Sequence, residues 1–504
     1  MNANLFARLE ARIADPNRIA IELPDGTPIS YGALRARTAR IANRLKALGL
    51  QTGDRVAVQV EKSVDALALY LATVRAGGVF LPLNTAYTLA ELEYFIGDAG
   101  PRIVVCDPSR EAGLKPVAAK LGGTVVTLGA DGSGSLLAGI DALPGEFATE
   151  SRKGDDLAAI LYTSGTTGRS KGAMLTHDNL VSNAETLIGY WRFTEKDTLI
   201  HALPIYHTHG LFVASNVVLF SGAKMIFLPK FDANDVLKRM AKATTLMGVP
   251  TFYVRLLQAL GLTKEATAGM RLFVSGSAPL LADTHREWSA RTGHAILERY
   301  GMTETNMNTS NPYDGDRVPG AVGFPLPGVS VRVADPETGK ILAPDEIGMI
   351  EVKGPNVFKG YWNMPEKTAA EFRPDGFFIT GDLGKIDAKG YVHIVGRGKD
   401  LIITGGFNVY PKEIEAEIDA IPGVFESAVI GIAHADFGEG VTAVVVRNPG
   451  ATVTEAQIVA ALADRLAKFK QPKRVIFVDD LPRNAMGKVQ KNVLRDTYKD
   501  IYKA

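Results

Sequence analysis

The sequence predicts an α/β protein: a large N-terminal layered α/β domain with a small β unit, followed by a small α+β C-terminal domain. Three observations carry that expectation. Short apolar runs bounded by turn residues recur through the first half of the chain, segments with helical spacing lie between them, and the texture changes near residue 320 and again after residue 400.

The runs are DRVAVQV (54–60), RIVVCD (102–107), LAAILYT (157–163), KMIFLP (224–229) and RLFVSGS (271–277). Short unbroken apolar runs suit strands covered on both faces of a parallel sheet. The stretch 31–49 shows the helical period instead: Leu34, Ile41, Ala42, Leu45 and Leu48 share a face on which Thr38 is the one polar member. Strand–helix alternation of this kind builds layers. Between 320 and 395, VSVRVADPETGK, GMIEVKG and GKIDAKGYVHIVGRG alternate and carry turn dipeptides, which predicts a small antiparallel unit. Beyond residue 400, strands are expected at 427–432, 442–447 and 474–479. A helix is expected from near Thr454, where Thr454 and Gln457 have capping-box spacing. The domains are therefore placed at 1–396 and 402–504, with a hinge at 397–401.

The 504 residues carry 56 Lys+Arg against 55 Asp+Glu, a formal charge of +1. That balance argues against a general polyanion binder, and no nucleic-acid partner is expected. Cys106 is the single cysteine, so neither an internal disulfide nor a thiolate-rich metal site is available. The first twenty residues lack the apolar core of a secretory leader. The most apolar stretches, 65–83 and 211–220, are interrupted by Asp65 and Arg75 or are too short to span a bilayer. The expectation is a cytoplasmic protein without a membrane partner.

YTSGTTGRSKG (162–172) is the most informative segment. Gly165, Gly168 and Gly172 let backbone N–H groups approach a ligand, Thr163, Ser164, Thr166, Thr167 and Ser170 supply hydroxyls, and Lys171 supplies charge. Converging donors with a cation suit a polyphosphate. The loop is not a Walker A motif, because Ser170 precedes Lys171 and Gly172 follows it. Six further motifs follow in order: LPIYHTHG (203–210), SGSAPL (275–280), ERYGMTET (298–305), GFFITGDLG (376–384), YVHIVGRGKDLIITGG (391–406) and PRNAMGK (482–488). Taken together, the seven resemble the adenylate-forming superfamily of acyl-CoA synthetases, luciferases and peptide-synthetase adenylation domains, along essentially the whole chain.

The resemblance implies a two-step ligase. ATP and a carboxylic acid, with Mg2+, give an acyl-adenylate and pyrophosphate, and coenzyme A then displaces AMP. It assigns Thr303 to phosphate and Glu304 to magnesium, a hard cation suited to carboxylate and phosphate oxygens. Tyr300 would lie against adenine beside Ser277 and Ala278, with Glu298 in the same nucleotide-binding set. Asp382 would accept hydrogen bonds from the ribose hydroxyls, assisted by Arg397. Lys488 would bridge the acyl carboxylate and the α-phosphate, acting by charge and position rather than proton transfer. Lys399 would be the hinge. His207 would guard the junction of the acyl pocket and thiol tunnel, which Gly405, Gly406 and Phe407 reach after rotation. A lysine acetyltransferase acting on Lys488 would remove its charge. Taken singly, these residues have plainer readings: Glu304 as a helix-start carboxylate, Asp382 as a turn residue, Arg397 and Lys488 as solvated charges. His207 and His209 would make only half of a zinc site.

Within the superfamily, LPIYHTHG, MGVPTFYVRLL (247–257), VSGSAPL and ERYGMTETNMNTS are most similar to members that activate malonate. A malonate bound by its reactive end leaves a second carboxylate that needs a cation, and the planar fork of arginine pairs both its oxygens. Arg255 is the first candidate, with Ser277 as hydroxyl partner and Arg286 as another cation. In a helix over 251–260, however, Arg255 falls near Thr251 and Gln258, away from Phe252, Leu256 and Leu260, which makes it a solvated-face residue instead. Methylmalonate is an alternative acid. Two rival readings are a ligase of the same fold for another small acid, such as acetate or succinate, and an adenylation enzyme that loads a carrier protein. No carrier domain is recognisable in the sequence.

Overall fold

The computed structural model describes residues 2–163, 170–404, 407–463, 465–484 and 487–503. Ser164, Gly165, Thr166, Thr167 and Gly168 of the phosphate loop, and Gly405 and Gly406, lie outside the described residues.

The five apolar runs form strands close to their expected limits: Arg55–Gln59, Ile103–Cys106, Leu157–Thr163, Lys224–Phe227 and Leu272–Ser275. They are divided between two sheets. Among the described residues the first has nine strands, with six parallel ones from Leu297–Met302 through Leu272–Ser275, Thr245–Gly248, Thr198–His201 and Lys224–Phe227 to Ile19–Glu22. The second has seven. Its parallel core runs Leu157–Thr163, Val79–Pro82, Arg55–Gln59, Ile103–Cys106, Thr124–Thr127, and the antiparallel strand Lys171–Thr176 lies beyond Leu157–Thr163. Helices cover these sheets, which is why their strands read as unbroken apolar runs.

Helix Tyr31–Ala47 starts at Ser30, whose side chain accepts from the Ala33 N–H. Thr38 is buried on its apolar face, yet its hydroxyl is satisfied: it donates to the Arg35 carbonyl at 2.7 Å and accepts from buried Arg75 at 3.1 Å. A polar residue on a core face is tolerated when its hydrogen bonds are met.

The change of texture after 320 is a four-stranded antiparallel sheet, ordered Ser330–Ala334, Gly348–Lys353, Phe378–Ile386, Val392–Arg397. Buried Glu351 on its second strand is held by Arg332 at 2.8 Å and Arg373 at 2.7 Å. This sheet ends at Arg397, the next begins at Ile402, and a single 3-10 turn, Gly398–Asp400, joins them.

The small C-terminal domain has strands Ile402–Thr404, Phe407–Val409, Val424–His434, Gly438–Arg447 and Arg474–Val478 in one sheet. Helix Glu455–Ala463 follows the expected capping box: Thr454 N–H donates to Gln457 Oε1 at 2.9 Å, and Gln457 N–H to Thr454 Oγ1 at 3.3 Å. Val429, Val441, Val445, Ile458 and Leu462 form an apolar core separate from that of the large domain. Among the described residues no helix is long and apolar enough to cross a membrane.

Candidate active site

Three hairpin-like devices and one wide helical turn bring the motif residues together. The phosphate loop is the connection of an antiparallel pair, closed by Thr163 opposite Lys171. Lys171 Nζ donates to Glu371 Oε1 at 3.0 Å and lies 4.0 Å from the Tyr361 ring centre, a cation–π contact. The Tyr361 hydroxyl stands 2.6 Å from Glu371 Oε2 and 3.1 Å from Glu304 Oε1. It has one proton to share between two carboxylates, and the shorter distance favours Glu371. Burial pushes the Glu304 carboxyl up, with nearby Lys171 opposing. At Glu371 burial acts in the same sense, but hydrogen bonds from Tyr361, Lys367 and Lys171 outweigh it and hold the group low. Glu371 and Tyr361 escaped the sequence reading. Glu371 is 200 residues from its lysine, and no local spacing announces such a pair.

Strand Leu297–Met302 turns through Thr303, Glu304 and Thr305 into strand Asn306–Ser310, presenting Thr303 and Glu304. Tyr300 lies two pairs behind the closing pair Met302–Asn306 of the same hairpin, and its hydroxyl donates to Asp382 Oδ2 at 2.6 Å. Arg397 Nε approaches Asp382 Oδ1 at 2.8 Å, because the two residues are register partners on adjacent antiparallel strands. The Asp382 carboxylate raises the pKa of Arg397, while burial and then Asp382 push the Tyr300 phenol up. Glu298 is buried beside Gly320 N–H at 3.5 Å and His285 at 3.8 Å, and burial pushes its carboxyl up.

Lys488 sits at the end of a tight loop. Asn484 N–H donates to the Lys488 carbonyl at 2.9 Å, and Gly487 N–H to the Asn484 carbonyl at 2.9 Å. Gly487 has φ +72°, a left-handed conformation that favours glycine. Burial, followed by the charge of Arg397, brings the Lys488 ammonium down to about 8, while Asp382 and Glu304 oppose. Its field is therefore that of the Asp382–Arg397–Glu304 cluster. Lys399 is pushed down as well, chiefly by burial.

On the acyl side, strand Thr198–His201 leads into a wide π-type helical turn, His209–Ser215, that the sequence reading did not anticipate. His201 Nε2 lies 2.9 Å from the Gly210 carbonyl, and Lys62 donates to the His201 carbonyl at 2.8 Å, bracing the turn. His209 Nδ1 is 3.2 Å from Ser277 Oγ, and Ser277 holds φ +72°, a strained setting for a residue with a side chain. Burial, then Lys488 and Arg299, keep His207 neutral, its pKa pulled to about 3.

Of the expected carboxylate partners, the two arginines lie at the surface. Arg255 stands on the exposed face of helix Pro250–Gln258, one turn from Thr251, which lies beside the Gly487 turn. Arg286 is exposed and bonded to Asp283. The arginine that the fold buries behind the Ser277 loop is Arg299, whose Nε and Nη2 find no hydrogen-bond partner among the described residues. Burial pulls it down to about 9. Gly276 makes room, since a Cβ there would run into the guanidinium. Alternation along ERYG was the missed signal: Arg299 faces away from its neighbours Glu298 and Tyr300.

Among the described residues, no group of three His, Cys, Asp or Glu could hold a metal by itself. A single buried carboxylate, Glu304, instead suits a hard cation that takes its remaining ligands from phosphate and water.

The sequence profile described as "AMP-binding enzyme" matches residues 10–362, and "AMP-binding enzyme C-terminal domain" matches residues 413–488. The crystal structure of ATP-bound MatB from Rhodopseudomonas palustris is 74% identical, covers 100% of both chains and superposes with a TM-score of 0.99. The apo MatB structure from the same organism, also 74% identical over 100% of both chains, gives 0.87. A malonate–CoA ligase of Arabidopsis thaliana is 34% identical over 527 residues, covering 95% of this chain and 86% of its own.

Proposed function

The chain belongs to the AMP-binding enzyme family, and from that premise we propose that it is an ATP-dependent malonate–CoA ligase. The reaction passes through malonyl-AMP, releases pyrophosphate and then AMP, and yields malonyl-CoA. The similarity to malonate–CoA ligase and to ATP-bound MatB supports this reading. The observation that carries the choice of acid is Arg299. A buried guanidinium with unpartnered nitrogens is costly in a pocket that takes an apolar acid, and it is matched by a second carboxylate.

Asp382 accepts the ribose hydroxyls on a platform fixed by Arg397 and Tyr300, and Tyr300 and Ala278 border the adenine. Thr163, Ser164–Gly168, Lys171 and Thr303 hold the phosphates. Magnesium, held by Glu304 together with phosphate oxygens, would neutralise charge on the triphosphate. Malonate enters with its distal carboxylate on Arg299 and Ser277, leaving Arg255 at the rim and Arg286 outside. Lys488 then meets the reacting carboxylate and the α-phosphate and stabilises the charge that builds between them. Neutral His207, beside Lys488 and Arg299, borders the acyl pocket without adding charge.

After adenylation the C-terminal domain turns about Lys399, carries Lys488 away, and brings Gly405, Gly406 and Phe407 toward the thiol. The present arrangement is the adenylating one: Lys488 lies within the field of Asp382 and Glu304, and the likeness is greater to ATP-bound than to apo MatB. An acetyltransferase would act on Lys488 only once that turn exposes it. Buried, free Cys106 suits a reducing, cytoplasmic setting.

The test is a product assay with malonate, methylmalonate, succinate and acetate, each with ATP and coenzyme A. Malonate should give AMP and its thioester fastest. Methylmalonate should follow, because one methyl changes discrimination by about 1–3 kcal/mol. Preference for acetate would overturn the reading, and acyl transfer to a carrier protein but not to coenzyme A would favour the carrier-loading alternative.

A further inference from the structure

We propose that Arg483 is the positioning residue of Lys488, acting as a clamp anchored on Glu426. The peptide between Gly487 and Lys488 is held at both of its polar ends. Arg483 Nη1 donates to the Gly487 carbonyl at 2.8 Å, and the Lys488 N–H donates to Asn484 Oδ1 at 3.0 Å. A peptide unit is planar, so fixing its C=O and its N–H fixes that plane; the Asn484 N–H bond to the Lys488 carbonyl at 2.9 Å holds the next plane, and the two together set the direction in which the Lys488 side chain leaves the backbone.

The other arm of the guanidinium, Nη2, is bonded to Glu426. Glu426 belongs to strand Val424–His434, which pairs with Gly438–Arg447 along nearly its whole length. Arg483 also forms an isolated antiparallel bridge with Val489, which closes the loop behind the lysine. Both members of the ion pair are sheltered, with side-chain exposures of 27% and 17%. This link ties the loop to the sheet. A planar fork serves a carbonyl and a carboxylate at once in a fixed relative geometry, which the rotating ammonium of a lysine does not enforce.

All the parts of the clamp lie in the C-terminal domain and travel with it. The clamp therefore serves the half-reaction in which Lys488 occupies the site, and not the transfer to coenzyme A. The proposal rests on the adenylation reading given above.

The experiment measures pyrophosphate release from ATP and malonate, and separately thioester formation from supplied malonyl-AMP and coenzyme A. Arg483→Met should slow adenylation by about 10- to 100-fold, the cost of a misplaced catalytic group, and leave thioester formation unchanged. Arg483→Lys should recover part of the loss. Glu426→Gln, which keeps a hydrogen-bond acceptor and removes the charge, should show the same split with a smaller loss. Equal loss in both half-reactions, or undiminished adenylation in Arg483→Met, would overturn the clamp. Wild-type protein that forms no malonyl-AMP would instead overturn the adenylation reading.

Discussion

Arg397 and Asp382 face each other across the last two strands of the antiparallel sheet, with Nε 2.8 Å from Oδ1. The pair joins two tasks. Its carboxylate is the proposed ribose acceptor, and its arginine is the last strand residue before the turn Gly398–Asp400, the proposed hinge.

Asp382→Ala should therefore weaken ATP binding. Two hydrogen bonds from neutral hydroxyls to a charged acceptor are lost, each worth about 1.5–3 kcal/mol. The KM for ATP should rise at least tenfold, while thioester formation from supplied malonyl-AMP should suffer through the same ribose contact. Steady-state and half-reaction kinetics check both.

Arg299→Met should raise the KM for malonate by about 30-fold or more, because an unpaired buried carboxylate costs about 2–5 kcal/mol. ATP binding should be little changed. Arg255→Ala should cost much less, since that side chain is exposed. A larger effect at Arg255 than at Arg299 would return the carboxylate to the rim.

The pH dependence follows from Lys488, which is brought down to about 8. The ammonium is the active form, so adenylation should be full below that value and fall as pH rises through it. Bound ATP and malonate add negative charge and move the limb upward. His207, pulled to about 3, should contribute no limb near neutrality. Thioester formation from malonyl-AMP should lack the alkaline fall, and a shared limb would argue against the assignment.

Glu351→Ala should destabilise the large domain by about 3 kcal/mol, because removing one member of a buried ion cluster leaves Arg332 and Arg373 without their shared anion. Denaturant unfolding measures it. The neighbouring strand carries Asp382, so the same variant should also raise the KM for ATP.

Much of this molecule was legible before its structure. LAAILYT became the strand Leu157–Thr163 without a residue's change, and Thr454 with Gln457 capped the helix they were read to cap. Those features are local, set by spacing and by side chains a few residues apart. Long-range partnerships were not legible. Glu371 reaches Lys171 only because strand Gly360–Tyr361 and the segment after it fold back onto Lys171–Thr176. The wide turn His209–Ser215 depends on His201 and Lys62, far apart in sequence. The burial of Arg299 was not legible, because helical spacing displays a charge such as Arg255 on a surface, whereas burial of a charge is decided by the surrounding fold.

The central claim is that one lysine on a turning domain serves one of two half-reactions, and Lys488→Ala tests it most directly. With ATP and malonate the variant should release almost no pyrophosphate, yet it should convert supplied malonyl-AMP and coenzyme A to malonyl-CoA at close to the wild-type rate. Equal loss of both half-reactions would contradict the account.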